Sequence, residues 1–102
     1  MNEYGTTDSY RIAQEHLTGV ALAVQRQDEL DLDALSALAR GIVEAVKKSD
    51  QLLVYAMSGP VGPSLITNLV NVGILATKVG AGLGYYGKEL ERLTLAGLLH
   101  DI

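Results

Sequence analysis

Apolar residues recur at steps of three and four along most of the chain, which is the spacing of one face of an α-helix. Ala13, Leu17 and Val20 follow this spacing in the first such segment. The same spacing predicts helices near residues 11–27, 31–49, 64–81 and 87–101. Residues 51–57 are too short to classify by period, and we expect a short helix there because no other segment could pair with a strand. The pattern therefore predicts an all-α helical bundle.

Capping residues and turn formers indicate where these helices begin and end. An acidic N-cap, Asp31 or Asp33, precedes the second helix, where a carboxylate suits the helix dipole. The glycines within residues 80–84 follow the third helix, so they predict a cap and a turn rather than a dinucleotide-binding loop, which must follow a strand. Two prolines and two glycines within residues 58–63 predict a bend. The chain thus divides into a flexible N-terminal tail at 1–10, an N-terminal helical segment at 11–57, a Gly/Pro bend at 58–63 and a second helical segment at 64–102.

Composition limits the classes of function. The 102 residues carry a formal charge of -4, which is the wrong sign for binding a polyphosphate backbone, so we expect no nucleic-acid partner. The absence of cysteine excludes disulfides, thiolate metal sites and thiol nucleophiles. The N-terminus has no basic segment followed by an apolar one, and no stretch reaches the roughly 18 apolar residues of a membrane span. We therefore expect a single cytoplasmic domain with no membrane partner.

The most informative chemistry lies at the end of the fourth predicted helix. His100 and Asp101 are adjacent there, and a neutral imidazole and a carboxylate are both ligands that a divalent metal accepts. Two ligands fill at most about a third of an octahedral shell, so we expect the metal site to be incomplete in this sequence. Steps of three and four residues from Leu90 predict that the His100 side chain faces inward. His16, the other histidine, is expected to be interfacial or solvated rather than a ligand.

A longer pattern surrounds the His-Asp doublet. It consists of residues 68–72 (NLVNV), the turn at 82–85 (GLGY) and residues 95–102 (LAGLLHDI). Over residues 64–102 the sequence resembles the first half of an HD-type metal-dependent phosphohydrolase, most closely of the HD-GYP branch. This resemblance implies a partial HD-domain-like fold in which His100 and Asp101 are metal ligands. Asn68 occupies the position of the family's first histidine ligand, and its carboxamide oxygen is a weaker ligand for a transition metal than an imidazole nitrogen.

The resemblance also implies a cofactor and a substrate class. Members of the family use a pair of divalent metal ions, for which we expect manganese, iron or magnesium, to activate water against a phosphodiester. The HD-GYP branch is associated with hydrolysis of the cyclic dinucleotide cyclic di-GMP. The later ligands of the family pattern do not occur within residues 1–102. We therefore expect the chain to be an N-terminal fragment of such a hydrolase, with weak or no metal binding and no catalysis on its own.

A second hypothesis is that the chain is a non-catalytic helical module for self-association or partner binding, with a degenerate HD site. Under either hypothesis we expect a homo-oligomer, formed by an antiparallel pairing of the C-terminal helices or by a domain swap about the bend. The reason is that Leu93, Leu98, Leu99 and part of the apolar stripe at 65–79 are expected to be uncovered in a monomer. The coding sequence after Ile102 discriminates the two hypotheses: further His and Asp residues favour the hydrolase, and a stop codon favours the module.

Overall fold

The computed structural model describes residues 5–58 and 65–102, and within them every regular element is an α-helix. The helices are α1 (Gly5–Arg26), α2 (Leu32–Lys48), α3 (Gln51–Ser58), α4 (Leu65–Gly82) and α5 (Gly87–Leu99). The prediction of an all-α bundle is confirmed, and so is the choice of a short helix for residues 51–57. Apart from the last residue of α3, the predicted bend at 58–63 lies outside the described residues.

The first helix begins earlier than the apolar pattern predicted. Residues 5–10, which were assigned to the flexible tail, form the first turns of α1. Tyr10 is only 2% exposed and lies on the same buried stripe as Ala13, Leu17 and Val20. Burial of the aromatic ring gives these turns the tertiary packing that a helix needs beyond its intrinsic propensity.

Local hydrogen bonds explain two of the helix ends. The carboxylate of Asp31 accepts a hydrogen bond from the Ala34 N–H at 3.0 Å, which makes Asp31 the N-cap of α2, one of the two predicted residues. After α4, the Tyr85 N–H donates to the Gly80 carbonyl at 3.0 Å while Gly84 adopts a φ of 99°. This is the hydrogen bonding of a Schellman cap, with glycine in the left-handed region. The glycine-rich segment is therefore a cap and a turn, as predicted.

The core is mostly aliphatic and receives side chains from all five helices. Tyr10 of α1 and Tyr55 of α3 pack edge to face within it, with ring centroids 5.1 Å apart.

Leu98 of α5 is completely buried in the same cluster, so the expectation that Leu98 is uncovered is wrong. Leu93 and Leu99 are half-buried. The reason is that α5 packs on α2 as well as on α4, so the N-terminal helices cover much of the face that was expected to be open. The largest completely buried side chains are Leu17, Leu69, Ile74, Leu98 and Val70.

α4 and α5 form a closely packed antiparallel pair. Gly73 lies against Leu98, and Gly80 lies against Leu90, so the beginning of α4 is beside the end of α5. The two backbones approach most closely at Gly97. A Cβ atom added to Gly97 would lie 3.0 Å from the Gly73 Cα and 3.1 Å from a carbonyl oxygen of α4. Only glycine allows this separation without a shift of one helix against the other.

Two threonines join the same pair of helices through a buried polar contact. The hydroxyl oxygens of Thr77 and Thr94 are 2.5 Å apart, and both residues are completely buried. The Thr77 hydroxyl also lies 2.8 Å from the Gly73 carbonyl oxygen, and the Thr94 hydroxyl lies 3.0 Å from the Leu90 carbonyl oxygen. One threonine therefore donates to the other, and the second donates to the backbone carbonyl beside it in its own helix. The buried hydroxyls are therefore satisfied, which avoids the desolvation cost of an unpaired polar group.

Among the described helices, α4 alone is long and apolar enough to cross a membrane by length and composition. Of the residues of α4, 33% are buried inside the fold. Core helices of soluble proteins meet the same criterion, so this feature is weak evidence for a membrane span.

Candidate functional site

The His-Asp doublet lies in the turn after α5, at the end of the α4–α5 pair where α4 begins. α5 ends at Leu99, and His100 is its C-cap residue. The side chains of His100 and Asp101 are 38% and 64% exposed, so the prediction of an inward-facing imidazole is wrong. His100 keeps helical backbone angles (φ -59°, ψ -26°) but stands at the very end of α5, so its imidazole lies at the rim of the bundle rather than along the packed side of the helix.

One hydrogen bond determines which ring nitrogen of His100 is available. Its Nδ1 lies 2.8 Å from the carbonyl oxygen of Gly97. A carbonyl oxygen can only accept, so Nδ1 carries the proton in this contact. In the neutral imidazole Nε2 then holds the free electron pair, and it lies 3.9 Å from Oδ2 of Asp101. A backbone carbonyl that holds one ring N–H is the usual arrangement around metal-binding histidines, since it orients the other nitrogen.

The donor set at this point consists of one imidazole nitrogen and one carboxylate. Both donor types suit manganese, iron or zinc, and the carboxylate also suits magnesium. Within residues 5–58 and 65–102 there is no group of three or more His, Asp or Glu side chains placed to hold a metal ion. The doublet therefore fits a divalent metal as part of a coordination shell and does not complete one.

The two asparagines of the 68–72 segment have different surroundings. Asn68 is exposed on α4, at the same end of the helix pair as the doublet. Asn71 faces α1 instead, where its Oδ1 accepts a hydrogen bond of 2.5 Å from the Tyr10 hydroxyl. The Thr67 carbonyl lies 3.3 Å from the same hydroxyl. Tyr10 thus anchors α1 to the beginning of α4. The apolar pattern did not reveal this role, although Tyr10 continues the period of the buried α1 stripe.

The Tyr10 contact predicts how stability depends on pH. Burial, and secondarily the neighbouring Tyr55, raises the pKa of Tyr10 from 10.0 to about 12. The folded state therefore favours the neutral Tyr10 phenol. The contribution of this side chain to the stability of the fold is complete below pH 10 and is lost as the pH rises from 10 towards 12. We expect the melting temperature to fall over this range more steeply in the wild type than in Tyr10→Phe, as measured by circular dichroism. Tyr86→Phe, which changes an exposed residue, is the control, and equal slopes in all three proteins would contradict the assignment.

Two grooves lie along the C-terminal half of α1. His16 is half-buried at the edge of a 340 Å³ groove between α1 and the start of α2, beside Glu29 and Asp31. This half-buried position is that of an interfacial imidazole, one of the two surroundings expected for His16. A second groove of 290 Å³, between α1 and the first turn of α4, is lined mainly by aliphatic side chains, including those of Leu65 and Ile102. The second groove borders the turn that carries the His-Asp doublet.

No family model matches the chain, and no curated protein and no solved structure matches it either. The chemical interpretation of the doublet therefore depends on its own geometry and on the sequence pattern around it.

Proposed function

We propose that this chain is the N-terminal part of an HD-type metal-dependent phosphohydrolase, similar to the HD-GYP branch, and that His100 and Asp101 are its contribution to a metal centre. The observation that carries the proposal is the hydrogen bond from Nδ1–H of His100 to the Gly97 carbonyl. It leaves Nε2 with a free electron pair beside a carboxylate at an accessible position. Together with the surrounding sequence pattern, this geometry favours metal ligation over a purely structural histidine.

In this proposal a bound divalent metal pair would supply acidified water and neutralise charge on a phosphodiester such as a cyclic dinucleotide. The residues of this chain would position the ligands. The α4–α5 pair holds Asn68 and the doublet at one end of the bundle, and the Gly97 carbonyl orients the imidazole. Two ligands do not hold a metal pair in fixed geometry, so in this proposal further ligands join them.

The proposal predicts weak metal binding and no turnover by the isolated chain. We expect calorimetry with manganese, iron or magnesium to detect no tight stoichiometric binding, and we expect no hydrolysis of cyclic di-GMP above a His100→Ala control. Whatever weak binding is measured should be lost in His100→Ala and retained in His16→Ala. Tight binding or turnover would contradict the incomplete site, and equal binding by both variants would contradict the role of His100.

A gain-of-ligand variant tests the resemblance itself. Asn68→His places an imidazole at the position where the family has its first histidine ligand, at the same end of the helix pair as the doublet. We expect metal affinity to rise by about tenfold or more, because a third protein ligand joins the shell. Asn68→Ala is the matched control. Unchanged affinity in Asn68→His would contradict the HD-like arrangement of α4 and α5.

The alternative, a non-catalytic module for self-association or partner binding, is favoured by one specific observation. Exposed aliphatic side chains run along α4, and Asn68 interrupts the family's ligand pattern on the same helix. Self-association alone is compatible with both functions, since a hydrolase domain can also use this helix for assembly.

A further inference from the structure

The outward face of α4 carries a regular row of side chains that the fold leaves open. Leu65, Asn68, Val72, Leu75 and Val79 follow one another at steps of three, four, three and four residues, and we call this row the outer stripe. Leu65, Leu75 and Val79 are 46%, 40% and 59% exposed, and Asn68 is exposed as well. Val72 is half-buried. These steps are the a and d spacing of a coiled-coil heptad.

The other faces of α4 are already occupied, so the outer stripe is not a displaced core face. Gly73 and Gly80 pack on α5, and Thr77 bonds to Thr94 between them. Val70 and Ile74 are buried in the core. The residues between the stripe positions therefore make the contacts of α4 with the rest of the fold.

The residue types on the outer stripe suit a second copy of the same helix. In register with the heptad, Leu65, Val72 and Val79 take a positions. Asn68 and Leu75 take d positions, and among parallel coiled coils a β-branched residue at a with Leu at d favours two strands. The stripe carries no charge, and Lys78, the only charged residue of α4, pairs at 2.9 Å with Asp50, which lies just before α3. Pairing two copies therefore brings no like charges together.

The available area is sufficient for a weak dimer. Leu83 and Tyr86 lie just beyond α4 and are 73% and 77% exposed, which extends the apolar surface at that end. Together with the stripe they offer on the order of 600 Å² per copy, so about 1,200 Å² over two copies, the lower limit of standard interfaces. A micromolar dissociation constant is in keeping with that size.

We propose that the outer stripe pairs with the outer stripe of a second copy about a two-fold axis, with the two α4 helices parallel. Parallel pairing sets Asn68 against Asn68, where each carboxamide can donate to the other. In the antiparallel arrangement Asn68 faces Leu75, which leaves a polar group without a partner. The proposal concerns assembly and does not depend on the metal site.

Cysteine cross-linking tests the pairing directly because the chain contains no cysteine. Val79→Cys should form a disulfide-linked dimer at micromolar concentration, since the two copies of this position meet only in the parallel arrangement. The matched control is Val54→Cys on α3, which is 58% exposed against 59% for Val79. Val79→Cys linking no faster than Val54→Cys would overturn the proposal, and so would linkage of Leu75→Cys without linkage of Val79→Cys.

Sedimentation provides the second readout, without any cross-link. The wild type should show a concentration-dependent equilibrium between the 10.9 kDa monomer and the dimer. Val79→Arg should weaken dimerisation by about 10- to 100-fold, and Val54→Arg should leave it unchanged. Both positions are exposed, so neither variant should lose the fold, which circular dichroism would verify. A wild type that stays monomeric to millimolar concentration would overturn the proposal.

Discussion

Gly97→Val is expected to destabilise the fold by about 3 kcal/mol or more. The atoms nearest to an added Cβ are the Gly73 Cα at 3.0 Å, the Ala76 Cβ at 3.1 Å and a carbonyl oxygen of α4 at 3.1 Å. Two of these belong to the backbone, so no side-chain rotation relieves the overlap. The two helices have to separate, and the neighbouring Thr77–Thr94 contact is then lost as well. Because domains of this size are stable by about 5–15 kcal/mol, thermal and urea unfolding will detect the loss.

Gly41→Val is the matched control for this prediction. Gly41 is also helical, in α2, but nothing lies within 4 Å of a Cβ added there. Valine has a somewhat better helix propensity than glycine, so we expect a change within about 0.5 kcal/mol or a slight stabilisation. Equal destabilisation by both substitutions would mean that α4 and α5 are not in close backbone contact at Gly97.

Leu69→Ala is expected to lower the free energy of unfolding by about 2–5 kcal/mol, which makes it the second of the two largest effects that we predict. The Leu69 side chain is completely buried and belongs to the cluster that includes Leu17 of α1 and Leu98 of α5. Truncating it leaves a cavity between helices that have little freedom to collapse, since α4 is held on one side by α5 and on the other by the Tyr10 hydrogen bond to Asn71. Urea unfolding monitored by circular dichroism would measure the change.

Leu32→Ala makes the same chemical change at an exposed position. Leu32 is 69% exposed in the first turn of α2, away from the outer stripe, so we expect a loss well below 1 kcal/mol, in the range typical of surface substitutions. A Leu69→Ala protein as stable as Leu32→Ala would contradict the position of α4 in the core.

Four of the five described helices could be predicted from a continuous apolar period, and α2 also carries its N-cap Asp31. The short α3 has no such period and was predicted because no other segment could pair with a strand. The beginning of α1 could not be predicted, since residues 5–9 are polar or small and gain their helical structure from the burial of Tyr10. The burial of Leu98 was missed for a related reason: periodicity shows that a helix has an apolar face but not which other helix covers it. Here α5 packs on α2 as well as on α4, a tertiary arrangement with no local signal.

The candidate site shows the same division between local and tertiary information. The residue types of the His100–Asp101 doublet are visible in the sequence, and so is the small Gly97 three residues earlier. The orientation of His100 was wrongly predicted because the helical period assigns a residue to a face of the helix but does not show whether another helix covers that face at the end of the bundle. The identity of the available nitrogen depends on a hydrogen bond of 2.8 Å to the Gly97 carbonyl, which appears only once the turn is built.

The most direct test of this account is heteronuclear NMR of the imidazole nitrogens during a zinc titration at a pH where both histidines are neutral. Zinc is a diamagnetic probe, and the chain has only two histidines, so His16 provides an internal control. The account predicts that His100 is protonated on Nδ1 and that zinc shifts its Nε2 resonance while the His16 resonances stay in place. A His100 protonated on Nε2, or equal shifts of both histidines, would contradict it.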